Sequence, residues 1–379
     1  MSGSASAPRL LVTGFRPGPS GVGRVMMNLI NGFAREGVEV HVLVPPGGFP
    51  ELGASPEVVH LHERSMGLQA DAVRQIHDFL AELSPEAVLS NRDEANALVV
   101  AAREDLSPRP RVLLRIGTDI SAKLRNQSLV SRWRRRRELK RVYRRADLLI
   151  CNSEGAASGL RDVLGRRGPP ITTLYNPLDV DRCRRLAELQ PEHPWFRARL
   201  GRLLVSVGRL ARIKDQATML RALALLPPDF RLVIFGEGRQ KDRLLALAGR
   251  LGVAERFDLP GHTDNPFAHL ARADVFVLSS LFEGSPNSLL EALAVGTPAV
   301  STDCPSGPRE ILEEGRYGRL VPVGHPRALA EAVLDVLERP PTASMLEEAL
   351  SRFDLARAVQ AYLRAMGFQG GLQSSGSAR

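Results

Sequence analysis

Two carboxylates stand eight positions apart in "FEGSPNSLLEA" (282–292), Glu283 and Glu291, with Ser-Pro-Asn between them. The segment follows the strand-like run "ADVFVLSS" (273–280), and Pro286 suits the first turn of a helix. A helix that starts there leaves the backbone N–H groups of residues 284 to 288 without intrahelical partners, which makes an anion or hydroxyl site. Glu283 then precedes the helix and Glu291 lies one to two turns in. Because helical side chains lean back toward the N-terminus, both carboxylates can reach one ligand from two depths. Capping or a surface role is the plain alternative, since an acid near a helix start is favoured by ~0.3–1 kcal/mol through the dipole alone.

A second loop, "VSVGRLARIKDQATML" (205–220), places Arg209 and Lys214 after a strand. Such a pair can hold a diphosphate, the Arg through its planar fork and the Lys as a point charge. Solvated loop charges are the alternative. A third loop, "FRPGPSGVGRVMMNLI" (15–30), carries glycines 18, 21 and 23 between a strand and a helix. It is similar to a dinucleotide fingerprint. However, the next strand-like run, "VEVHVLVPP" (38–46), ends in Pro45 and Pro46 where the ribose-binding acid should stand. A tight strand-to-helix turn explains the glycines equally well. Asp179 and Asp181 form a D-x-D in "LDVD", read as helix capping and not as a metal site. His60, His62 and Glu63 in "HLHE" have ligand chemistry without a partner cluster in the sequence, and read as polar residues at a strand end. No metal or other cofactor is expected.

These residues need a scaffold, and the apolar pattern supplies one. Short runs at 9–15, 38–46, 57–62, 86–91, 111–117, 146–153 and 171–177 read as strands, as do 203–210, 230–238, 256–262, 273–280, 297–303 and 317–324. Most are continuous, not alternating, as expected of strands buried on both faces of a parallel sheet. Helical segments are predicted at 22–35, 69–83, 215–226, 239–251, 286–295, 308–314, 326–338 and 344–366. A polar, Pro-punctuated stretch interrupts the alternation. The division expected is a first α/β domain over 1–178, a linker over 179–202 and a second α/β domain over 203–343. A C-terminal helix over 344–366 returns to the first domain, and 367–379 forms a tail. Two doubly wound domains facing each other across a cleft bind ligands at the carboxyl ends of their strands, where all three loops fall.

Composition agrees with this frame. At 379 residues and 44% hydrophobic, the chain is long enough for two cores. Its net charge of +9 favours anionic partners. The three cysteines are widely spaced and offer neither a zinc pattern nor a disulfide framework, which suggests a reducing compartment. The N-terminal residues lack a signal pattern, and no apolar run approaches the ~20 residues that span a bilayer. A cytoplasmic location, peripheral to the inner face of the cell membrane, is expected.

The segments "VGRLARIKD", "VIFGEG", "GHTDNP", "SSLFEGSPNSLLEALAVGTPAVSTDCPSGPREIL" and "GRLVPVG" occur in an order and spacing that resembles the retaining GT-B glycosyltransferases of family 4. The resemblance covers nearly the whole chain and is strongest from about residue 203 to 324. It implies a metal-independent transfer of a sugar from a nucleotide-diphosphate donor to a saccharide or lipid-linked acceptor in bacterial surface-glycan synthesis. It implies that Arg209 and Lys214 bind the diphosphate and stabilise it as it leaves. Glu283, the first acid of the E-x7-E pattern, would face the sugar's hydroxyls and reacting centre. Glu291 would bind the ribose, and Gly284, Ser285, Pro286 and Asn287 would hold sugar and phosphates through backbone groups. Gly261 and His262 would lie near the base, and Gly21 and Gly23 would close onto the diphosphate. "DCPSGPREIL" resembles the form found with UDP-linked sugars. One departure is clear: where many relatives carry a His, this chain reads "RIGTDIS" (115–121), with Asp119 as the stand-in on the acceptor side.

The stretch "SRWRRRRELKRVYRRADLL" (131–149) contains nine cations: Arg132, Arg134, Arg135, Arg136, Arg137, Lys140, Arg141, Arg144 and Arg145. With Trp133 at one end, a basic amphipathic helix suits an anionic membrane surface, where each cation adds ~1 kcal/mol. A solvated Arg-rich face is the alternative. Nucleic-acid binding finds no supporting motif and is not expected. The contrasting function is a basic membrane or nucleic-acid binding protein on a non-catalytic GT-B scaffold.

Overall fold

The apolar runs become two parallel sheets, buried on both faces as continuous hydrophobic strands must be. The computed structural model describes residues 7–15, 20–46, 58–64, 69–125 and 127–368, so Gly18 of the first glycine loop and 369–379 of the expected tail lie outside the described residues. The chain divides into two units. The first takes Met1–Asn152, Ala156–Pro177 and Leu355–Arg379; the second takes Ser153–Gly155 and Leu178–Asp354.

The first unit contains β1 (Arg9–Thr13), α1 (Gly21–Arg35), β2 (Glu39–Val44), β3 (Val59–Glu63), α2 (Gln69–Leu83), β4 (Ala87–Asn91) and α3 (Asp93–Ala102). It continues through β5 (Arg111–Ile116), α4 (Ile120–Arg125), α5 (Leu129–Tyr143), β6 (Leu148–Cys151), α6 (Glu154–Leu164) and β7 (Ile171–Thr173). The sheet order is β3-β2-β1-β4-β5-β6-β7, with every pairing parallel. Leu10, Val12, Val40 and Leu89 pack on one face; Leu11, Leu43, Val88 and Leu114 pack on the other.

The second unit opens with α7 (Val180–Ala187) and α8 (Pro194–Ala198), which occupy the stretch read as a linker. Asp179 caps α7 by accepting from the Arg182 N–H at 2.9 Å, the role its position allows. Then come β8 (Arg202–Val207), α9 (Gln216–Leu223), β9 (Phe230–Phe235), α10 (Lys241–Arg250), β10 (Phe257–Gly261), α11 (Pro266–Leu270), β11 (Val275–Leu278) and α12 (Asn287–Ala294). The unit ends with β12 (Ala299–Thr302), α13 (Pro308–Ile311), β13 (Arg319–Val321), α14 (Pro326–Glu338) and α15 (Ala343–Leu350). Its order is β10-β9-β8-β11-β12-β13, again parallel throughout.

A last helix, α16 (Leu355–Met366), belongs to the first unit and packs along α1. Val359, Tyr362, Leu363 and Met366 are buried there, each full side-chain burial being worth ~1.5–3 kcal/mol. Gly32 of α1 makes the approach close: a Cβ on it would stand 2.2 Å from Val359 Cγ2. A polar tie joins the same elements. Arg115, at the end of β5 and only 2% exposed, donates from Nε to the Tyr362 hydroxyl at 3.2 Å and from Nη2 to Asn176 Oδ1 at 2.5 Å. The expected helix over 344–366 is therefore two helices, α15 and α16, broken by a 3-10 turn at Ser351–Phe353. Among the described residues, no helix is long and apolar enough to cross a membrane.

Candidate donor site

In the second unit the strand order runs outward in one direction from β8 and in the other from β11. Loops leaving two such neighbouring strands turn opposite ways and open a crevice at their carboxyl ends, where ligands of doubly wound sheets bind. The β8 loop carries Arg209 and Lys214, and the β11 loop carries Glu283.

The structure brings two of these together. Lys214 Nζ lies 2.5 Å from Glu283 Oε1, with the two side chains 18% and 11% exposed. The Ser280 hydroxyl donates to the same oxygen at 2.5 Å. Both loops are fixed by backbone: the Leu281 N–H donates to Ile213 O at 2.8 Å, and the Ser279 hydroxyl to Lys214 O at 2.8 Å and Asp215 O at 2.9 Å. The pair is thus held in register by groups on either side of it. Half-buried, it is screened less than a surface ion pair. Glu283 Oε2 has no hydrogen-bond partner among the described residues. The nearby Cys304 thiol is pushed up to about 12, first by burial and then by the negative charge of Glu283, so it stays protonated.

Arg209 is exposed and has no carboxylate partner among the described residues. Its backbone is pinned: Gln216 Nε2 donates to Arg209 O at 2.9 Å, and the Leu210 N–H to Glu237 O at 2.8 Å. The β9 loop fits against the β8 loop because Gly236 has no side chain. With φ +147°, a Cβ there would meet Gly208 O at 2.1 Å. This close approach is the physical content of "VIFGEG", which pattern reading left without a role.

The helix after Glu283 begins at Asn287, with Pro286 as its N-cap at φ −74° and ψ 103°, one residue later than expected. No side chain caps it, and its first turn holds no acid. Gly284 and Ser285 lie in the loop ahead of it. Glu291 is a full turn inside and buried at 3% exposure. Gly261 ends β10, and its carbonyl accepts from the Gly236 N–H at 2.7 Å. His262 is exposed, with Nε2 3.4 Å from Asp264 Oδ1. The donor-side candidates therefore leave β8, β10 and β11 of one parallel sheet, at the same ends.

The first-unit candidates have other partners. The Gly23 N–H donates to the Ser20 hydroxyl at 3.0 Å, which caps α1, and Gly21 opens that helix. Asp119 is buried, and its Oδ1 accepts from the Ala122 N–H at 3.0 Å, an N-cap for α4. The spacing from Asp119 to Ala122 is that of an N-cap.

The basic stretch is helix α5, but its cations do not share one face. Arg135 pairs with Asp93 and Glu138, Arg145 with Glu104, and Arg136 donates to the Asp162 and Val163 carbonyls. Arg144 donates to Leu164 O at 2.9 Å. Arg132 and Lys140 are half-buried. Arg134 and Arg141 remain exposed without partners among the described residues, and exposed Arg137 lies over the Trp133 ring, 5.0 Å from its centroid. On the same stripe stand Val130 and Trp133, with Leu129 beside them, and all three are more than half exposed.

Comparisons with known proteins give the arrangement its family. Residues 201–339 match the family model of glycosyl transferases group 1, and 19–182 match that of glycosyltransferase family 4. The chain is 34% identical over 199 residues to the N-acetylgalactosamine-N,N'-diacetylbacillosaminyl-diphospho-undecaprenol 4-alpha-N-acetylgalactosaminyltransferase of Campylobacter jejuni; the match spans 52% of each chain. It is 26% identical over 333 residues to the lipopolysaccharide core biosynthesis glycosyltransferase LpsE of Rhizobium meliloti, covering 86% of this chain and 88% of that one. In fold it superposes on Anabaena HepE, solved in complex with UDP-glucose, with a TM-score of 0.77 and 19% identity over 95% of this chain and 99% of HepE. The chain belongs to the family 4 glycosyltransferases, the glycosyl transferases group 1, and its two parallel sheets are those of the GT-B fold.

Proposed function

We propose that this chain moves a sugar from a UDP-sugar to a saccharide or lipid-linked glycan in bacterial surface-polysaccharide synthesis, with retention at the anomeric carbon. The observation that carries the reading is the Lys214–Glu283 contact across the crevice between β8 and β11. A preorganised cation there meets charge that develops on the departing diphosphate, which is where electrostatic catalysis is strongest. Arg209, exposed and unpaired among the described residues, supplies a second cation. Glu283, with one oxygen tied by Lys214 and Ser280, has Oε2 for a sugar hydroxyl and a negative charge for the anomeric carbon. Glu291 takes the ribose hydroxyls, and residues 284–287 take sugar and phosphate through their backbone, while Gly261 and His262 border the base. Departure and attack occur on one face of the sugar: the bond to the diphosphate oxygen breaks as the acceptor oxygen bonds to the anomeric carbon, and the acceptor hydroxyl's proton passes to the departing diphosphate oxygen. The two arginine and lysine cations do the work a divalent ion does in other transferases.

UDP is favoured because HepE was solved with UDP-glucose, and a lipid-linked acceptor because the Campylobacter relative acts on a diphospho-undecaprenol. Exposed Leu129, Val130 and Trp133 beside Arg134, Arg137 and Arg141 support docking to an anionic leaflet, as apolar side chains insert while cations meet head groups. A thermal-shift panel of nucleotide sugars tests the donor, because a ligand that binds only the folded state raises Tm. A UDP-sugar should raise Tm, and Lys214→Ala should abolish the rise; a panel without response overturns the reading. Flotation on phosphatidylglycerol vesicles should fall in Trp133→Ala with Arg134→Gln and Arg137→Gln. Flotation equal on phosphatidylcholine removes the membrane part.

A further inference from the structure

"HLHE" offered no partner cluster as a sequence, and strand register supplies one. In the parallel pair β2–β3, His41 stands directly opposite His60. Glu39 lies two residues before His41 and so projects from the same face. His41 Nε2 is 3.0 Å from Glu39 Oε1, and His60 Nε2 is 3.6 Å from the same oxygen. One ligand atom from each of the three lies within 4.8 Å of the others. The rings of His41 and His60 stack with centroids 4.7 Å apart. Behind them His41 Nδ1 meets His62 Nε2 at 3.0 Å, and His62 rests edge-on against Phe79. Glu39 and His60 side chains are 35% and 39% exposed, so the group opens to solvent.

We propose that Glu39, His41 and His60 bind a divalent cation of the zinc class, with His62 orienting His41. Zinc bonds of ~2.0–2.1 Å in a tetrahedron place neighbouring ligand atoms about 3.3 Å apart. The 3.0 and 3.6 Å to Glu39 Oε1 lie on either side of that value, and all three ligand atoms lie within 4.8 Å of one another, so side-chain rotation alone can close them on a cation. Two imidazoles and one carboxylate suit zinc, whereas magnesium and calcium take oxygen ligands. Three protein ligands leave a fourth position for water. His62 Nε2, 3.0 Å from His41 Nδ1, is the outer partner: with a cation on Nε2 the His41 proton would stand on Nδ1 and be donated to His62, which fixes the tautomer. Arg9, across from Glu39 on β1, donates to Leu83 O at 2.7 Å and makes no ion pair with Glu39 among the described residues. The consequence is mechanical. β3 is an edge strand held by one neighbour, and a metal bound from both strands would cross-link it to β2.

The test uses the full chain without an affinity tag, and zinc chloride alone. Titration calorimetry should give one equivalent, and added zinc should raise Tm in a manner EDTA reverses. His60→Ala and Glu39→Gln change part-exposed side chains and should each weaken zinc binding by more than the roughly 10–100-fold that loss of an outer partner costs. Their folding is checked by an unchanged nucleotide-sugar thermal shift, which reads the second unit, and by circular dichroism of the whole chain. Cobalt should give the intense visible absorption of a tetrahedral site in the wild type and lose it in His60→Ala. Zinc bound equally by all three proteins, or by none of them at one equivalent, overturns the proposal.

Discussion

The two sheets share a topology but differ in what stands at their crevices. In the second unit the loops after β8 and β11 bring a cation and a carboxylate together, Lys214 and Glu283, in a half-buried pair. In the first unit the equivalent loops follow β1 and β4. There Gly14, at φ +79°, gives up the volume of a side chain, because a Cβ would fall 1.6 Å from Asn91 O. After β4, Arg92 is exposed, while Asp93 is engaged in structure: it accepts from the Tyr143 hydroxyl at 2.5 Å and pairs with Arg135. Burial raises the Tyr143 pKa well above its ordinary value, so the hydroxyl remains a donor. A doubly wound sheet thus supplies a crevice by topology alone, and residue type decides whether it holds reactive charge or backbone.

The largest expected effect tests that contrast directly. Lys214→Ala and Glu283→Gln should each lower kcat/KM by about 10²–10³, the usual loss for a preorganised electrostatic group. Because the two share one contact, the double variant should lose little more than either alone. Arg92→Ala, after β4, should cost less than tenfold. Losses that multiply in the double variant would separate the pair, and a loss at Arg92 equal to that at Lys214 would erase the contrast between the crevices.

Acid should expose a second difference. His269 in α11 accepts the His193 N–H at Nε2 (3.3 Å) and donates from Nδ1 to Asn265 O at 3.2 Å. Burial lowers its pKa to about 4, so it folds neutral. The unfolded chain binds that proton near the ordinary value of ~6.5, so stability is present above that pH and drains as pH falls toward 4. The full loss is on the order of 3 kcal/mol. Denaturant unfolding at pH 7, 5 and 4 should show it, and His269→Asn should flatten the slope. An unchanged slope in that variant removes His269 as the cause. In the first unit, Gly32→Ala should cost about 1–3 kcal/mol by overpacking Val359, despite the better helix propensity of Ala. Hydrogen exchange should localise the change to α1 and α16, with nucleotide-sugar binding intact.

What the sequence carried was local. The thirteen strands of the described residues coincide with the predicted runs, eleven inside them and β3 and β8 one residue past an end, because burial on both faces writes a continuous apolar signature. The E-x7-E spacing survived because it lies within one loop and one helix. What it could not carry was register and distance along the chain. Lys214 and Glu283 are 69 residues apart, and Arg115 and Tyr362 are 247 apart. The alignment of His41 with His60 depends on which residue of β2 faces which of β3. The helices α3, α6 and α11 were passed over because α3 and α6 begin directly at a strand end and α11 is a single short turn after Pro266. Charge was misjudged for a related reason: the nine cations of residues 132–145 read as one face, yet Arg135 and Arg136 in α5 and Arg144 and Arg145 beyond its end reach partners on other elements.

The smallest expected effect decides the place of Asp119, where the family resemblance suggested a stand-in for an acceptor-side His and geometry gives a cap. Asp119→Ala removes the acceptor of the Ala122 N–H and should cost about 1 kcal/mol, within the ~0.5–2 kcal/mol found for such caps. Asp119→Asn keeps an oxygen of the same reach and should restore most of that stability. The two roles part at activity. A cap needs only the oxygen, so kcat/KM in Asp119→Asn should stay within a factor of about three of wild type. A group that takes a proton or balances charge on the acceptor needs the carboxylate, and its amide would lose about 10²–10⁴. A stable but inactive Asp119→Asn would return this residue to the chemistry and give the first unit reactive charge of its own, at the end of β5.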